Sequence, residues 1–296
     1  MANTIINPPL LINKNYFKNP NFAVIQGTAS GTLANSKDVP TASLGYSGET
    51  EWFTVAAGGT PAYAFSAINE NVTITGAAGT TEISLGQRIE SRDMTTLANR
   101  LATMTLSVEL SNSLLTTVQW FAFRPSTTDD TFGTFNALTA TTIASGSFTV
   151  SSTLTRYSAT FTLPALATRG VEIRLKVLAQ TSGTWVVSRL QLEENSVASN
   201  FNCSDYSKSL QTCQRYFQLA NCSLQAPAVG NAWVTMMFPT PMSAVPVRTN
   251  INAGSALNAA VSFENQTAVS YNLQINVTTA SGSVTNRTNS YAAHIP

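Results

Sequence analysis

The sequence predicts an all-β protein: an antiparallel β-sandwich of the jelly-roll type, followed by a short helix and a smaller C-terminal β domain. Three observations lead to this fold class. Apolar and polar residues alternate with a period of two along many short segments, as they do in strands with one buried face. Clusters rich in Gly, Pro, Thr and Asp separate these segments and indicate turns. Thr, Ser and Asn make up about a third of the 296 residues, which favours β-structure with neutral surfaces.

Five segments supply the strands of the predicted sandwich, which we place at residues 21–203. Residues 104–110 alternate without a fault, so their four apolar side chains share one face. The other four segments are residues 115–123, 156–163, 171–177 and 185–192. Many short strands with regular turns between them are typical of a sandwich or barrel.

The rest of the chain divides into three further segments. Residues 1–20 form a Pro- and Asn-rich N-terminal lead. Residues 204–220 predict a helical linker, the only helix that the pattern indicates, from apolar residues at helical spacing. Residues 221–296 predict a β-rich domain with strands at residues 233–238 and 269–277. This domain is small for an independent core, so we expect contacts between subunits to help stabilise it.

The charge balance and the cysteines exclude several classes of protein. Sixteen Lys and Arg against fifteen Asp and Glu leave a net charge of +1, too little for the basic field with which proteins bind nucleic acid. No stretch approaches the roughly 18 apolar residues of a membrane span, and we expect neither membrane insertion nor a secretion signal. Cys203, Cys213 and Cys222 fit no zinc pattern and are expected to be reduced thiols. The sequence therefore predicts no metal site and no cofactor.

Candidate catalytic groups are sparse. A nucleophilic triad would depend on His294, which is the single histidine of the chain. The adjacent acidic pairs, Asp129 with Asp130 and Glu193 with Glu194, do not make a glycosidase pair, because neighbours on a strand point to opposite faces. We expect all four carboxylates to be solvated turn or strand-end residues. The protein is therefore predicted not to be an enzyme.

Sugar binding fits the composition better. Aromatic side chains offer an apolar face to a sugar ring, and Asn and Gln side chains can bond to its hydroxyl groups without any charged field. Trp120 and Trp185 lie in apolar runs and are expected in the core. Trp52 lies between Glu51 and Phe53 in less apolar surroundings, and Trp233 lies between Ala232 and Val234 in the C-terminal domain. These two are the candidate ligand-binding residues, with packing between subunits as the alternative for Trp233.

The linker region contains a predicted interface or hinge element, which consists of Cys213, Gln214, Arg215, Tyr216 and Phe217. Its two aromatic side chains are expected to be buried. A buried arginine needs a planar acceptor, so we expect Arg215 to pair with Glu193 or Glu194.

Three segments resemble one known family. The first is residues 15–22 (NYFKNPNF) with IQGT at residues 25–28, and the second is QRIE at residues 87–90. The third is the most specific: RLQLE, SVASNF and LQTCQRYF follow one another within residues 187–217. These segments resemble tail-fibre and minor structural proteins of tailed phages, in which QLE-x-G-S-x-A-T-P-F precedes L-x-x-CQRYY. Asn195, the Ser199–Asn200 pair and Phe217 depart from that pattern.

The resemblance covers residues 15–220 and implies a jelly roll similar to carbohydrate-binding modules, in a virion fibre that is commonly a homotrimer. On this basis we expect residues 1–20 to attach the chain to baseplate or tail proteins and the C-terminal domain to bind a glycan of the host cell surface. The expected location is the virion tail, after assembly in the host cytoplasm. Two alternatives remain: a polysaccharide-degrading enzyme or accessory module, and a purely architectural baseplate protein.

Overall fold

The structure is a computed structural model that describes residues 14–35, 51–134, 138–203, 205–226, 229–252, 255–257, 259–264, 267–277 and 282–292. Within these residues the chain forms two six-stranded sheets, two smaller sheets and two α-helices. None of the helices in these ranges has the length and hydropathy of a membrane-spanning segment.

Two six-stranded sheets form the sandwich. Their strands, in chain order, are β1 (Ser30–Thr32), β2 (Ala34–Asn35), β3 (Phe53–Ala57), β4 (Ala62–Ser66), β5 (Asn71–Thr75), β6 (Glu82–Ile89), β7 (Thr103–Asn112), β8 (Thr117–Pro125), β9 (Ala140–Thr149), β10 (Thr155–Thr162), β11 (Val171–Leu178) and β12 (Thr184–Glu194). The first sheet has the order β1-β4-β5-β12-β7-β10 and the second β2-β3-β6-β11-β8-β9. Among the described strands, β2 with β3 is the one parallel pair. From β5 onward the chain crosses repeatedly between the sheets, which confirms the predicted all-β jelly roll.

The core lies between the two sheets, where the alternating residues place it. Leu106 and Val108 of β7 and Val187 of β12 pack from the first sheet, and Leu85 of β6 and Leu175 of β11 pack from the second. Each is almost completely buried. Full burial of a side chain of this size contributes roughly 1.5–3 kcal/mol. The five predicted strands of the sandwich are all present, with ends within a few residues of those predicted.

Residues 14–20 belong to the sandwich, which differs from the predicted boundary at residue 20. The Asn15 side chain donates to the Leu190 carbonyl at 2.9 Å and accepts from the Leu192 amide at 3.2 Å. The Gln87 side chain bonds to both the amide and the carbonyl of Lys18, each at 2.7 Å. These side-chain amides form hydrogen bonds with buried backbone groups that can no longer bond to water. They hold residues 14–20 on the sandwich as the backbone bonds of a neighbouring strand would. Residues 1–13 lie outside the described residues.

A helix that the sequence analysis missed, α1 (Ser91–Asn99), follows β6. Its buried residues are Met94, Leu97 and Ala98, an apolar face of only three residues, which is too short to stand out as a period. The Asp130 carboxylate accepts hydrogen bonds from the Ser91 amide at 2.7 Å and the Ser91 hydroxyl at 2.9 Å. Asp130 therefore caps this helix from a distant turn, and the expectation of a freely solvated carboxylate is wrong for it.

The predicted linker helix is shorter than expected. Helix α2 (Tyr206–Gln214) begins after Asp205, whose carboxylate accepts from the amides of Ser207 and Lys208. The chain then leaves the helical conformation, and strand β13 (Phe217–Ala226) begins at Phe217. Pairing of Phe217 with Ala292 across the next sheet explains why the aromatic end of the predicted helix is extended.

The C-terminal unit contains two small sheets. After β13 its strands are β14 (Gly230–Met237), β15 (Val247–Asn252), β16 (Ser255–Leu257), β17 (Ala259–Glu264), β18 (Ser270–Val277) and β19 (Gly282–Ala292). One sheet has the order β13-β19-β15 with β16 also on β19, and the other β14-β18-β17. Both predicted strands are present as β14 and β18. The buried cluster described between them is small: Phe238, Met242, Tyr271 and Tyr291.

Candidate functional site

Trp233 lies on β14 with 53% of its surface exposed, as a ligand-contacting residue must. Because side chains alternate along a strand, Asn231 and Thr235 share its face, and both are exposed. Asn276 and Asn272 of β18 stand opposite Asn231 and Thr235 in the strand register. The indole ring thus lies in a field of amide and hydroxyl groups on an exposed sheet.

A hydrogen bond between Thr235 and Asn272 fixes the orientation of two polar side chains near Trp233. The Thr235 hydroxyl donates to the Asn272 side-chain oxygen at 2.9 Å, which leaves the amide nitrogen of Asn272 as a donor for another partner. Strands β14 and β18 contain no charged residue. We call the face formed by Asn231, Trp233, Thr235, Asn272 and Asn276 the tryptophan face.

The tryptophan face is not wholly polar, because Met237 continues it at the end of β14 with 66% of its surface exposed. Val229 precedes the same strand and is also well exposed. Exposed apolar side chains beside an aromatic ring are found both at sugar sites and where subunits meet. The face therefore has the composition for either use of Trp233, sugar contact or packing between subunits.

Trp52, the second candidate ligand-binding residue, is completely buried, so the prediction of a sugar-stacking role is wrong for it. Its ring packs against Phe17 and Phe22, with ring centroids 5.0 and 5.5 Å away. Its indole nitrogen donates to the Asn19 carbonyl at 2.9 Å. Trp52 is a core residue that fastens the N-terminal segment to the sandwich. Trp120 and Trp185 are buried, as predicted.

The predicted hinge element lies where the sandwich meets the C-terminal unit, and its aromatic residues Tyr216 and Phe217 are buried as expected. Tyr216 packs against Phe132 of a sandwich loop, and the Lys18 ammonium donates a hydrogen bond to its hydroxyl group. Burial lowers the pKa of Lys18 and raises the pKa of the Tyr216 hydroxyl. Burial also raises the pKa of the Cys213 thiol, which therefore stays neutral and unreactive.

Glu90 is the acceptor at the centre of this junction. Its carboxylate lies 2.8 Å from Arg92, 3.3 Å from Arg215 and 3.8 Å from the Lys18 ammonium. Burial by itself would raise the pKa of Glu90, but Lys18, the Tyr216 hydroxyl and Arg215 together outweigh it and hold the pKa below its ordinary value. The predicted pairing of Arg215 with Glu193 or Glu194 is therefore wrong, since its carboxylate partner is Glu90.

The same element and the residue after it, Gln218, also bind the C-terminal unit. The Arg215 carbonyl accepts from the Ser243 amide at 2.7 Å, and the Gln218 side chain donates to the Thr240 carbonyl at 2.6 Å. The Gln214 side chain accepts from the Thr240 hydroxyl at 3.3 Å. Consecutive residues thus contact the sandwich on one side and the C-terminal unit on the other.

Glu193 and Glu194 have separate structural roles. Glu193 is fully buried and accepts hydrogen bonds from the Ser199 amide at 2.8 Å, the Ser199 hydroxyl at 2.7 Å and the Gln191 side chain at 2.8 Å. Glu194 pairs with Arg100. The expectation of a solvated carboxylate is therefore wrong for Glu193, because the segment after β12 folds back to cover it.

Potential metal ligands are scattered over the described part of the chain, which contains no cluster of three His, Cys, Asp or Glu side chains. Cys203 is exposed and Cys213 is buried, and both are free thiols. The Cys222 side chain and His294 lie outside the described positions.

The chain matches no protein-family model and no curated protein. A family 4 carbohydrate-binding module is 16% identical with a TM-score of 0.38, over 58% of this chain and 100% of the other. A Bacteroides thetaiotaomicron protein described as sugar-binding is 14% identical with a TM-score of 0.40, over 62% of this chain and 100% of the other. The enzymatically active domain of bacteriophage CBA120 tailspike protein 4 is 14% identical with a TM-score of 0.33, over 54% of this chain and 21% of that chain. Similarities at these identities and scores assign no function.

Proposed function

We propose that this protein is a non-enzymatic component of a phage tail, a fibre of the baseplate or tail tip, that binds a glycan on the host cell surface through its C-terminal unit. The observation that carries the proposal is the tryptophan face: an exposed indole among neutral amide and hydroxyl groups on an uncharged pair of strands. Sugars bind to such surfaces by ring stacking and hydrogen bonds. The family-like segments QLE and CQRYF support the tail assignment.

The proposed mechanism is multivalent adhesion. One tryptophan face holds a sugar weakly because it is shallow and open to water. Three copies in a homotrimer, each virion carrying several trimers, raise the avidity by about 10²- to 10⁴-fold where the geometry allows simultaneous contact. Residues 1–13 and the adjoining part of the sandwich attach the fibre to baseplate or tail proteins.

The test compares wild-type full-length protein with Trp233→Ala, Trp233→Phe and the control Val245→Ala, an exposed apolar residue outside β14 and β18, for binding to host cells and to their purified surface polysaccharide. Trp233→Ala should abolish binding, Trp233→Phe should retain part of it because a ring remains, and Val245→Ala should change it little. Released oligosaccharide in the same mixtures would indicate a polysaccharide-degrading enzyme.

Light scattering on the same variants separates ligand contact from subunit contact. We expect the mass of a homotrimer, near three times 31.5 kDa, for the wild type and for Trp233→Ala. A fall in mass for Trp233→Ala with unchanged glycan binding would place the tryptophan face between subunits and overturn its role in adhesion.

A further inference from the structure

A polar pocket of about 490 Å³ opens on the outer face of the first sheet of the sandwich, far along the chain from the tryptophan face. Strands β7, β10 and β12 contribute Glu109, Arg156 and Arg189 to its wall, and residues 198–201 form the opposite side with Phe201. Charged residues make up only 10% of this protein, so a cavity lined by three of them is unusual here.

A β-bulge brings Arg189 to this face. Val187 and Leu190 both pack into the core, so two residues, Ser188 and Arg189, lie between consecutive core positions where a regular strand would have one. The register of β12 on β7 shifts between Ser188 and Gln191, and Arg189 has a φ of 44°, which is rare for a residue with a side chain. Without the bulge, the Arg189 side chain would point towards the core.

Arg156 carries a guanidinium group that is only partly used by the described residues. One terminal nitrogen donates to the Ser107 hydroxyl at 2.6 Å and the other makes a long contact of 3.4 Å with the Arg189 carbonyl. The Nε atom has no hydrogen-bond partner among the described residues. Among those residues, too, no carboxylate lies within ion-pair distance of Arg156. The Phe201 ring lies 6.0 Å from the guanidinium carbon and forms an aromatic side of the pocket.

The Arg189 guanidinium forms ion pairs with two carboxylates, Glu70 and Glu109. Its Nε lies 2.8 Å from the Glu70 carboxylate and its Nη1 lies 3.6 Å from the Glu109 carboxylate. The Arg189 side chain remains 45% exposed, whereas that of Glu109 is 20% exposed. The better-exposed charge at the pocket is therefore a guanidinium, and Glu109 is the carboxylate with which a bound anion would compete.

We propose that this pocket binds one carboxylate-bearing sugar unit, a uronic or sialic acid, of the host surface polysaccharide. The proposal rests on the proposed function for its ligand class, but it uses a separate site. Two guanidinium groups match the planar, two-oxygen shape of a carboxylate. Phe201 offers an apolar face to the sugar ring, and Ser158 and Asn200 at the rim offer hydroxyl and amide groups.

Replacement of Glu109 distinguishes an acidic ligand from a neutral one. For an acidic sugar, Glu109 repels the ligand and occupies Arg189, so Glu109→Gln should strengthen binding. For a neutral sugar, the Glu109 carboxylate is an acceptor for hydroxyl groups, so the same change should weaken binding. The two ligand classes thus predict opposite effects of one conservative substitution.

The experiment is calorimetric titration of full-length protein with oligosaccharides that contain galacturonic, glucuronic or N-acetylneuraminic acid, each beside its neutral counterpart. We expect at least one acidic oligosaccharide to bind more tightly than its counterpart and to weaken as NaCl rises from about 20 to 200 mM. Arg156→Gln should weaken this binding by at least about tenfold, since a bond to a charged group is lost. Arg156→Lys should retain part of it, and Glu109→Gln should strengthen it. Melting temperatures show whether each variant is folded.

Three results would overturn the proposal: acidic oligosaccharides binding no better than neutral ones, folded Arg156→Gln binding as the wild type does, or Glu109→Gln weakening the interaction. Arg124→Gln, which removes a guanidinium group from strand β8 of the other sheet, serves as the control and should leave this titration unchanged. If Trp233→Ala loses cell binding while the acidic oligosaccharides fail, the tryptophan face alone binds the host. If the pocket binds while Trp233→Ala has no effect on cells, the role proposed for the tryptophan face fails instead.

Discussion

Arg215 donates a hydrogen bond to the Glu90 carboxylate at 3.3 Å, across 125 residues of sequence. Glu90 follows strand β6 of the sandwich, and the carbonyl of Arg215 accepts from Ser243 of the C-terminal unit. This one ion pair therefore lies in the path by which the two parts of the chain are held together.

The Glu90–Arg215 pair should contribute more to stability than an exposed pair. We expect a double-mutant cycle of Glu90→Gln and Arg215→Gln to give a coupling of about 1–2 kcal/mol in urea unfolding, because the pair is largely buried. Arg92 and Lys18 remain on Glu90 in the single Arg215 variant and limit the effect. The matched control is Arg100 with Glu194, whose side chains are 53% and 39% exposed, where the coupling should be below about 0.5 kcal/mol. Equal couplings would show that the junction pair has no special role.

Acid should destabilise the sandwich through Glu172. This fully buried carboxylate lies 2.8 Å from Arg88 and 2.6 Å from Arg174. Burial by itself would raise its pKa, but the two guanidinium groups outweigh burial and hold the pKa below the ordinary value of 4.5. Because the folded-state pKa is lowered, the stabilisation is complete above pH 4.5 and is lost as the pH falls through the folded value.

The measurement is the melting temperature between pH 7 and pH 2 for the wild type and Glu172→Gln. At pH 7 the variant should be less stable by about 3–5 kcal/mol, since it leaves two buried guanidinium groups without their carboxylate. Below pH 4.5 its melting temperature should fall less steeply than that of the wild type. Parallel pH profiles would mean that other carboxylates, such as Glu70 and Glu90, carry the acid response.

Trp52 and Trp233 should respond to substitution in opposite ways. Trp52→Ala removes a fully buried ring and the hydrogen bond to Asn19, and should cost about 3–5 kcal/mol of unfolding free energy. Trp233→Ala removes a half-exposed ring and should change stability by less than about 0.5 kcal/mol. Glycan binding per folded molecule should be lost in the second variant and kept in the first. Chemical unfolding and binding to host polysaccharide on the same preparations provide both readouts.

Two N-terminal deletions should separate virion attachment from folding. Removal of residues 2–13 keeps every described contact of the N-terminal segment and should prevent incorporation into virions with little change in melting temperature. Removal of residues 2–20 also takes away Asn15, Phe17 and Lys18, and should lower the melting temperature markedly. Purified virions probed with an antibody to the chain report incorporation. Normal incorporation of the shorter deletion would place the attachment site elsewhere.

Local patterns in the sequence were sufficient for seven of the strands. Period-two alternation arises from the geometry of one strand and needs no knowledge of its partners, so residues 104–110 and 171–177 could be assigned directly. The same reasoning placed Trp120 and Trp185 in the core. It missed α1, because a helix with three buried residues carries too little periodicity and its cap, Asp130, comes from a distant turn.

The candidate site could be predicted only in part. Trp233 was chosen for its place in the C-terminal domain although its sequence neighbours, Ala232 and Val234, are apolar, and it does lie exposed on β14. Trp52 was chosen for its mixed neighbours, Glu51 and Phe53, yet all three are buried. Strand β3 is covered on both faces, so a charged neighbour in sequence says nothing about exposure there. The pocket around Arg156 and Arg189 depends on a bulge and on a segment that folds back, neither of which leaves a local pattern.

The sequence by itself determined that this is an all-β chain, where seven of its strands lie and which residues of those strands can face a core, because these properties follow from backbone geometry over a few residues. Tertiary structure alone decided that Arg215 meets Glu90, that residues 14–20 belong to the sandwich and that Arg189 faces outward. Those outcomes depend on pairings across as many as 177 residues, as between Asn15 and Leu192. A pattern of buried and exposed positions specifies that a face must be covered, and only the folded chain specifies what covers it.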